Sequence, residues 1–124
     1  MSKKYKILIV DDSAAMRMMI AASLQDSEFE VVGSAKDGQQ ALQLFKDTAP
    51  DVVLLDIVMP GMSGEETLEQ IIALDKNAVV IMASSLGTGE AVQGALRAGA
   101  KNFLQKPIDQ EGLLKVLRNT VNLL

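Results

Sequence analysis

Neither cysteine nor histidine occurs in the sequence, and these two absences exclude several chemistries. Without cysteine there is no disulfide framework, no thiolate metal site and no thiol nucleophile. Without histidine there is no imidazole general base, no Ser-His-Asp triad and no usual zinc ligand. Any bound metal must be held by oxygen, which favours a hard cation such as Mg²⁺. Aromatic residues are scarce: Tyr5, Phe29, Phe45 and Phe103 are the whole set, too few for base-stacking platforms. The net charge of −4 also argues against a nucleic-acid surface. Long apolar runs are missing too. The first, Ile7-Leu8-Ile9-Val10, stops at Asp11-Asp12 and is too short for a signal peptide or a membrane span. Lys3, Lys4 and Lys6 before it read as a solvated surface, and the chain reads as soluble and cytoplasmic, with no nucleic-acid partner and no membrane insertion.

What is present is an alternation. Short Val/Ile/Leu runs are separated by longer segments of helical period. The runs lack strict in/out alternation, as strands buried on both faces of a parallel sheet do. They are 7–10, 52–55, 79–83 and 103–105, with a weaker fifth at Glu30–Ser34. The first helix is expected after Ser13 as N-cap, with Met16, Ile20 and Leu24 (beside Met19 and Ser23) inward. The second starts near Asp37-Gly38 with Ala41, Leu44, Phe45 and Thr48 on one face. The third follows Ser63-Gly64, where Ser63 and Glu66 fit a capping box, with Leu68, Ile71 and Ile72 inward. The fourth spans about Gly89 to Ala98 and stops at Gly99; the fifth runs from Asp109 to the end with Leu113, Leu114, Leu117, Val121 and Leu124 inward. The seven methionines, Met16, Met18 and Met19 among them, read as core and helix surface. The pattern is five β-α units, hence one doubly wound α/β domain over 1–124 with right-handed crossovers. Roughly two-thirds of the unfolded surface is buried at this size, enough for a core without staples.

Each run ends on a polar residue: Asp11-Asp12, Asp56, Ser84-Ser85 and Lys106-Pro107. Parallel strands share one rim. In the common order 2-1-3-4-5 the chain reverses direction between strands 1 and 3, where ligands bind in open α/β sheets. Asp11, Asp12 and Asp56 fall at that crevice. Any single Asp after a strand is best explained as a cap or turn former; three at the switch point, with Lys106 nearby, are not. Two carboxylates ~5 Å apart repel by about 3 kcal/mol at an effective dielectric of 20, a cost that a divalent cation relieves. Asp56 is then the candidate nucleophile and phosphoacceptor, since a carboxylate needs no base to attack phosphorus. Asp12 would hold Mg²⁺ directly and Asp11 through water. Lys106 would pair with Asp56 at rest and with phosphate oxygen afterwards. Ser84 offers a hydroxyl to that phosphate, or merely caps a helix.

These residues and their spacing resemble the receiver domains of two-component signalling, in particular the stand-alone, CheY-like type. "ILIVDDS" at 7–13, "PDVVLLDIVMPGMSG" at 50–64, "VVIMASS" at 79–85 and "ALRAGAKNFLQKP" at 95–107 carry the resemblance over essentially the whole chain. It implies a flavodoxin-like (βα)5 fold and phosphoryl transfer from a partner histidine kinase to Asp56. It implies Mg²⁺ at Asp11, Asp12, Asp56 and the backbone carbonyl of Val58. Ser84 and Phe103 would then move together, altering the face of helix 4, strand 5 and helix 5 toward a downstream target, most simply in chemotaxis or flagellar motor control. For Phe103 plain core packing is an equal alternative. The Lys106-Pro107 bond is often cis in such domains. The protein would be no turnover enzyme, catalysing at most its own phosphoryl transfer and slow dephosphorylation.

Two departures stand out. Val58 and Leu86 replace the polar residues that many receivers carry two positions after the phosphoacceptor and two after the hydroxyl residue. The resemblance implies that they flank the path of hydrolytic water, so slow decay unless a phosphatase assists is expected. Three other readings compete. A flavodoxin-type carrier lacks here its phosphate cradle and aromatics. A phosphatase of the haloacid dehalogenase type would need a second Asp where Val58 stands. A phosphorelay intermediate or phosphate sink keeps the family but changes the role.

Overall fold

The computed structural model describes residues 4–85 and 87–122. Five strands alternate with five helices: β1 Tyr5–Val10, α1 Ala14–Ser23, β2 Phe29–Ala35, α2 Gly38–Thr48, β3 Val52–Asp56, α3 Gly64–Leu74, β4 Val80–Ser84, α4 Gly89–Arg97, β5 Asn102–Gln105 and α5 Gln110–Asn122. The strands are all parallel, in the order β2-β1-β3-β4-β5. The fold is thus the flavodoxin-like doubly wound α/β arrangement that the alternation of runs implies.

Period-two alternation divides the sheet into two apolar layers. Ile7, Ile9, Val52, Leu54 and Ile81 pack with Ile20 and Leu24 of the first helical unit and with Leu113, Leu117 and Val121 of α5. Leu8, Val10, Val53, Leu55, Val80 and Met82 pack on the other face with Ala41, Leu68, Ile71 and Ala95 from α2, α3 and α4. Because both faces are covered, the central strands read as unbroken apolar runs, and β3 and β4 are buried throughout.

The helix starts follow local chemistry. Ser13, Asp37, Ser63 and Thr88 each accept a hydrogen bond from the backbone N–H three residues on, satisfying a donor the helix leaves open. Asp109 does the same for Gly112, at 2.6 Å. The capping box at α3 is only half formed. Ser63 accepts from Glu66 N–H at 3.1 Å, but the Glu66 carboxylate faces the Ser63 hydroxyl at 3.5 Å. Helix α1 also differs from expectation: Met16 is half-buried, whereas Met19 turns outward and Met18 is 72 % exposed. The inner stripe of this ten-residue helix is narrow, and Ile20 is its one buried residue. Helix α4 begins at Gly89, so Gly87 lies in the preceding loop rather than within the helix, and Gly94 alone is interior. Gly99 follows with φ +115°, the left-handed turn expected there. Leu124 lies outside the described residues.

Gly64 opens α3 against the end of β3. Its N–H bonds to Ile57 O at 2.8 Å, and an added Cβ would strike Asp56 O and lie 2.6 Å from Ile57 Cα. Both obstacles are backbone and cannot swing aside. Gly64→Ala is therefore expected to destabilise the protein by about 2 kcal/mol or more, at the upper end of overpacking. Urea unfolding measures this; a loss below about 0.5 kcal/mol contradicts it.

Candidate functional site

The β1–α1 turn, the end of β3 and the end of β5 meet at one edge of the sheet. Asp11 follows β1, with its N–H bonded to Ala35 O at 3.0 Å, and is 3 % exposed. Asp56 ends β3 and is 6 % exposed. Asp12 is exposed. One carboxylate oxygen from each of the three lies within 4.8 Å of the others. That is the spacing at which one hard cation can take oxygen from several carboxylates.

The three are not equivalent. Both Asp11 oxygens are engaged: Oδ1 accepts from Ser13 N–H at 2.9 Å and Oδ2 from the Lys106 ammonium at 2.9 Å. The Asp12 carboxylate makes no hydrogen bond among the described residues, and its oxygens are open to a ligand. Asp56 Oδ1 lies 3.4 Å from Lys106 Nζ and 3.4 Å from the Val58 N–H. Lys106 therefore pairs first with Asp11 and second with Asp56, where sequence reasoning makes Asp56 its resting partner. β5 is one strand removed from β3, and the long lysine stem carries the ammonium past β3 toward β1.

Charge follows this arrangement. Burial, and then the Asp11 charge, push the Asp56 carboxyl above the ordinary carboxylate range, although Lys106 pulls the other way. Burial by itself would lower the Lys106 pKa. The hydrogen bond to Asp11 and the charges of Asp56 and Asp11 outweigh it, and the pKa is raised. A single ammonium lies beside two carboxylates: their pull holds its proton, while its own pull on Asp56 is outweighed by burial and the Asp11 charge. A divalent cation beside Asp12 would supply the missing positive charge, and the donor set of carboxylates fits Mg²⁺.

The remaining residues surround this centre. Ser84 ends β4, is 2 % exposed, and its carbonyl accepts from Lys106 N–H at 2.8 Å. It also borders a cavity of about 420 Å³ between α3 and α4, floored by Ile57, Met82, Ala91 and Ala95. Phe103 is half-buried against the α2–α4 layer, opposite Met82 in the β4–β5 register. Val58 is 65 % exposed beside Asp56. The Lys106–Pro107 peptide is cis. Leu86 lies outside the described residues. Sequence reasoning missed Arg17, whose guanidinium donates to the Asp11 carbonyl at 2.7 Å. The available signal was its position one helical turn after the N-cap Ser13, near the end of β1.

A parallel α/β sheet with three carboxylates and an ammonium at its switch point defines a class: a doubly wound protein whose site suits a hard cation and phosphoryl oxygens. Comparison with known proteins names the family. The family model described as the response regulator receiver domain matches residues 7–118. The chain is 43 % identical over 118 residues to the chemotaxis protein CheY of Bacillus subtilis, covering 95 % of this chain and 98 % of that one. It is 46 % identical over 112 residues to the CheY of Listeria monocytogenes, covering 90 % and 94 %. Among solved structures, the complex of CheX, CheY, BeF3 and Mg from Borrelia burgdorferi superposes with a TM-score of 0.92 at 36 % identity, over 96 % of this chain and 90 % of that one. The chain belongs to the response regulator receiver family, the phosphoacceptor modules of two-component signalling.

Proposed function

We propose that Asp56 is the phosphoacceptor of this receiver and that a histidine kinase is its donor. The observation that carries the reading is the convergence of Asp11, Asp12, Asp56 and Lys106 at the switch point. An Asp56 oxygen forms the new bond to phosphorus as the bond from phosphorus to the donor imidazole nitrogen breaks. The product is an acyl phosphate, and the imidazole regains its proton from solvent. Asp12, with Asp11 behind it, would hold Mg²⁺ together with Asp56 and the Val58 carbonyl; the ion supplies charge neutralisation for the transferred oxygens. Lys106 supplies a second positive charge from the protein itself. The chain is no turnover enzyme on this reading.

The acyl phosphate adds about −1.5 to −2 charges beside Lys106 and Ser84. Only bonds made better in one conformation than another shift a population. Ser84 would report the phosphate to α4, a reading supported by the cavity that Ser84 lines together with Ala91 and Ala95. Phe103 lies on the same side of β5. The α4–β5–α5 face would then bind a downstream target, and likeness to CheY proteins favours chemotaxis and a flagellar motor component, acting in the cytoplasm. A phosphatase partner is compatible with the CheX complex of the Borrelia relative.

Incubation with acetyl phosphate tests the core of this reading. Uptake of one phosphoryl group is expected, dependent on Mg²⁺ and removed by hydroxylamine; no uptake with Mg²⁺ present refutes it. Pull-down in beryllofluoride separates the roles: recovery of a motor component supports chemotaxis, recovery of a histidine phosphotransfer domain supports a relay. The apolar Val58 side chain beside Asp56 offers no hydrogen bond to an attacking water. Spontaneous decay is thus expected to take minutes or longer, and Val58→Asn to hasten it several-fold. Phosphate release after loading measures both; decay within seconds in the unaltered protein contradicts the expectation.

A further inference from the structure

We propose that Arg17 is a positioning residue for the metal: its guanidinium clamps the Asp11–Asp12 peptide and so aims the Asp12 carboxylate. The inference rests on the metal site proposed above and adds a residue to it.

Asp11 and Asp12 are held in opposite ways. The Asp11 side chain is fixed at both oxygens, by Ser13 N–H and by Lys106. The Asp12 side chain is exposed and touches no donor among the described residues, so its direction depends on the backbone that carries it. That backbone begins with the peptide whose oxygen is Asp11 O. β-Sheet bonding ends at the Asp11 N–H, which reaches Ala35 O. The next acceptor, Asp11 O, lies beyond the ladder and is taken by Arg17 Nη1 at 2.7 Å. A charged donor at that length is among the stronger hydrogen bonds. Arg17 in turn is seated on α1, where its own N–H bonds to Ser13 O at 3.0 Å. The chain of support therefore runs from α1 through Arg17 to the peptide plane that precedes Asp12. Arg17 forms no ion pair among the described residues. Its charge is spent on a carbonyl, as expected of a group that orients rather than neutralises.

Two roles predict opposite signs. Were Arg17 only a nearby positive charge, its removal would make the site more negative and tighten Mg²⁺. As a clamp, its removal frees the turn and weakens Mg²⁺. Residues that orient metal ligands typically contribute 10–100-fold to affinity. Arg17→Met keeps the stem and removes the donors; it is expected to weaken Mg²⁺ about tenfold by isothermal calorimetry. Amide resonances of Asp12 and Ser13 should broaden or shift in the metal-free variant, while those of β3 and β4 stay in place. The unaltered protein and Asp12→Asn are measured alongside. If the unaltered protein binds no Mg²⁺, the metal reading and this inference fall together. If it binds, and Asp12→Asn loses binding, then equal or tighter binding in Arg17→Met overturns the clamp alone. Should Arg17→Met not fold, Arg17→Lys decides: retained charge with shortened reach is expected to weaken Mg²⁺ at least about threefold, and unaltered affinity overturns the assignment.

Discussion

Asp56→Asn is expected to take up no hydroxylamine-sensitive phosphate and, in the absence of metal, to be more stable than the unaltered protein. The first effect is all-or-none, because a neutral amide is a poor nucleophile and leaves no carboxylate to form the acyl bond. Phosphate uptake from acetyl phosphate measures it, and normal uptake would move the phosphoacceptor elsewhere. The second effect follows from the site's charge. Burial and the Asp11 charge raise the Asp56 pKa in the folded state. An acid raised on folding binds more protons folded than unfolded, so it subtracts stability as pH rises through the raised value. The penalty disappears as pH falls toward the ordinary carboxylate range and grows as pH rises through the raised value. The stability gap between Asp56→Asn and the unaltered protein should therefore widen as pH rises from the ordinary carboxylate range and close on acidification. A relief of about 1 kcal/mol raises the melting temperature by roughly 4 °C. Thermal unfolding in chelator across this pH range checks the sign. A variant less stable at neutral pH would mean that the Lys106 attraction outweighs the crowding.

Lys106→Ala carries the opposite expectation. Its ammonium holds a buried Asp11 at 2.9 Å and Asp56 at 3.4 Å, with only 18 % of the lysine side chain exposed. Removing one partner of a buried pair leaves uncompensated charge, a loss of about 3–5 kcal/mol when burial is complete. With the site open at Asp12, about 2 kcal/mol is the expected loss in chelator. Two further observations would tie the loss to charge. Mg²⁺ should restore part of the stability, since a ligand that binds only the folded state adds stability by mass action. Adding Asp56→Asn should restore part as well, because it removes one of the two stranded carboxylates. Failure of both rescues would point to lost packing of the lysine stem. The raised Lys106 pKa means that its contribution is complete at neutral pH and is lost only as pH climbs past the ordinary lysine range. Phosphate uptake in Lys106→Ala should persist, slowly, while affinity for the downstream target no longer changes. Normal switching in this variant would deny the ammonium its proposed role.

The reach of sequence reasoning differed by element. β1, β3 and β4 were legible because strands buried on both faces have little choice but unbroken Val/Ile/Leu. The caps Ser13 and Ser63, and a helix start at Asp37-Gly38, were legible because an N-cap bond is local, made within three residues. The facing of Met19 and the tertiary contact of Gly87, just before α4, were not. Met19 has an apolar side chain on a helix whose narrow contact with the sheet leaves it outside. Gly87 lies against the Gln105 side chain at the end of β5, a contact between residues 18 positions apart that no helical pattern records. The half-formed capping box at Ser63 shows the same limit: the residue types permit a reciprocal bond, and the rotamer of Glu66 decides whether it is made.

From the order of its residues alone, this chain determined its α/β class, its five β-α units, and which polar groups would stand on one rim, because strand direction and strand ends are local properties of the pattern. The allocation of charge within that rim was decided only in three dimensions. Which carboxylate Lys106 chooses, why Asp12 has no hydrogen-bond partner among the described residues, and what Arg17 holds all depend on side-chain reach. Electrostatic and hydrogen-bond energies change over a few ångströms, whereas the sequence pattern places residues only to the nearest strand end.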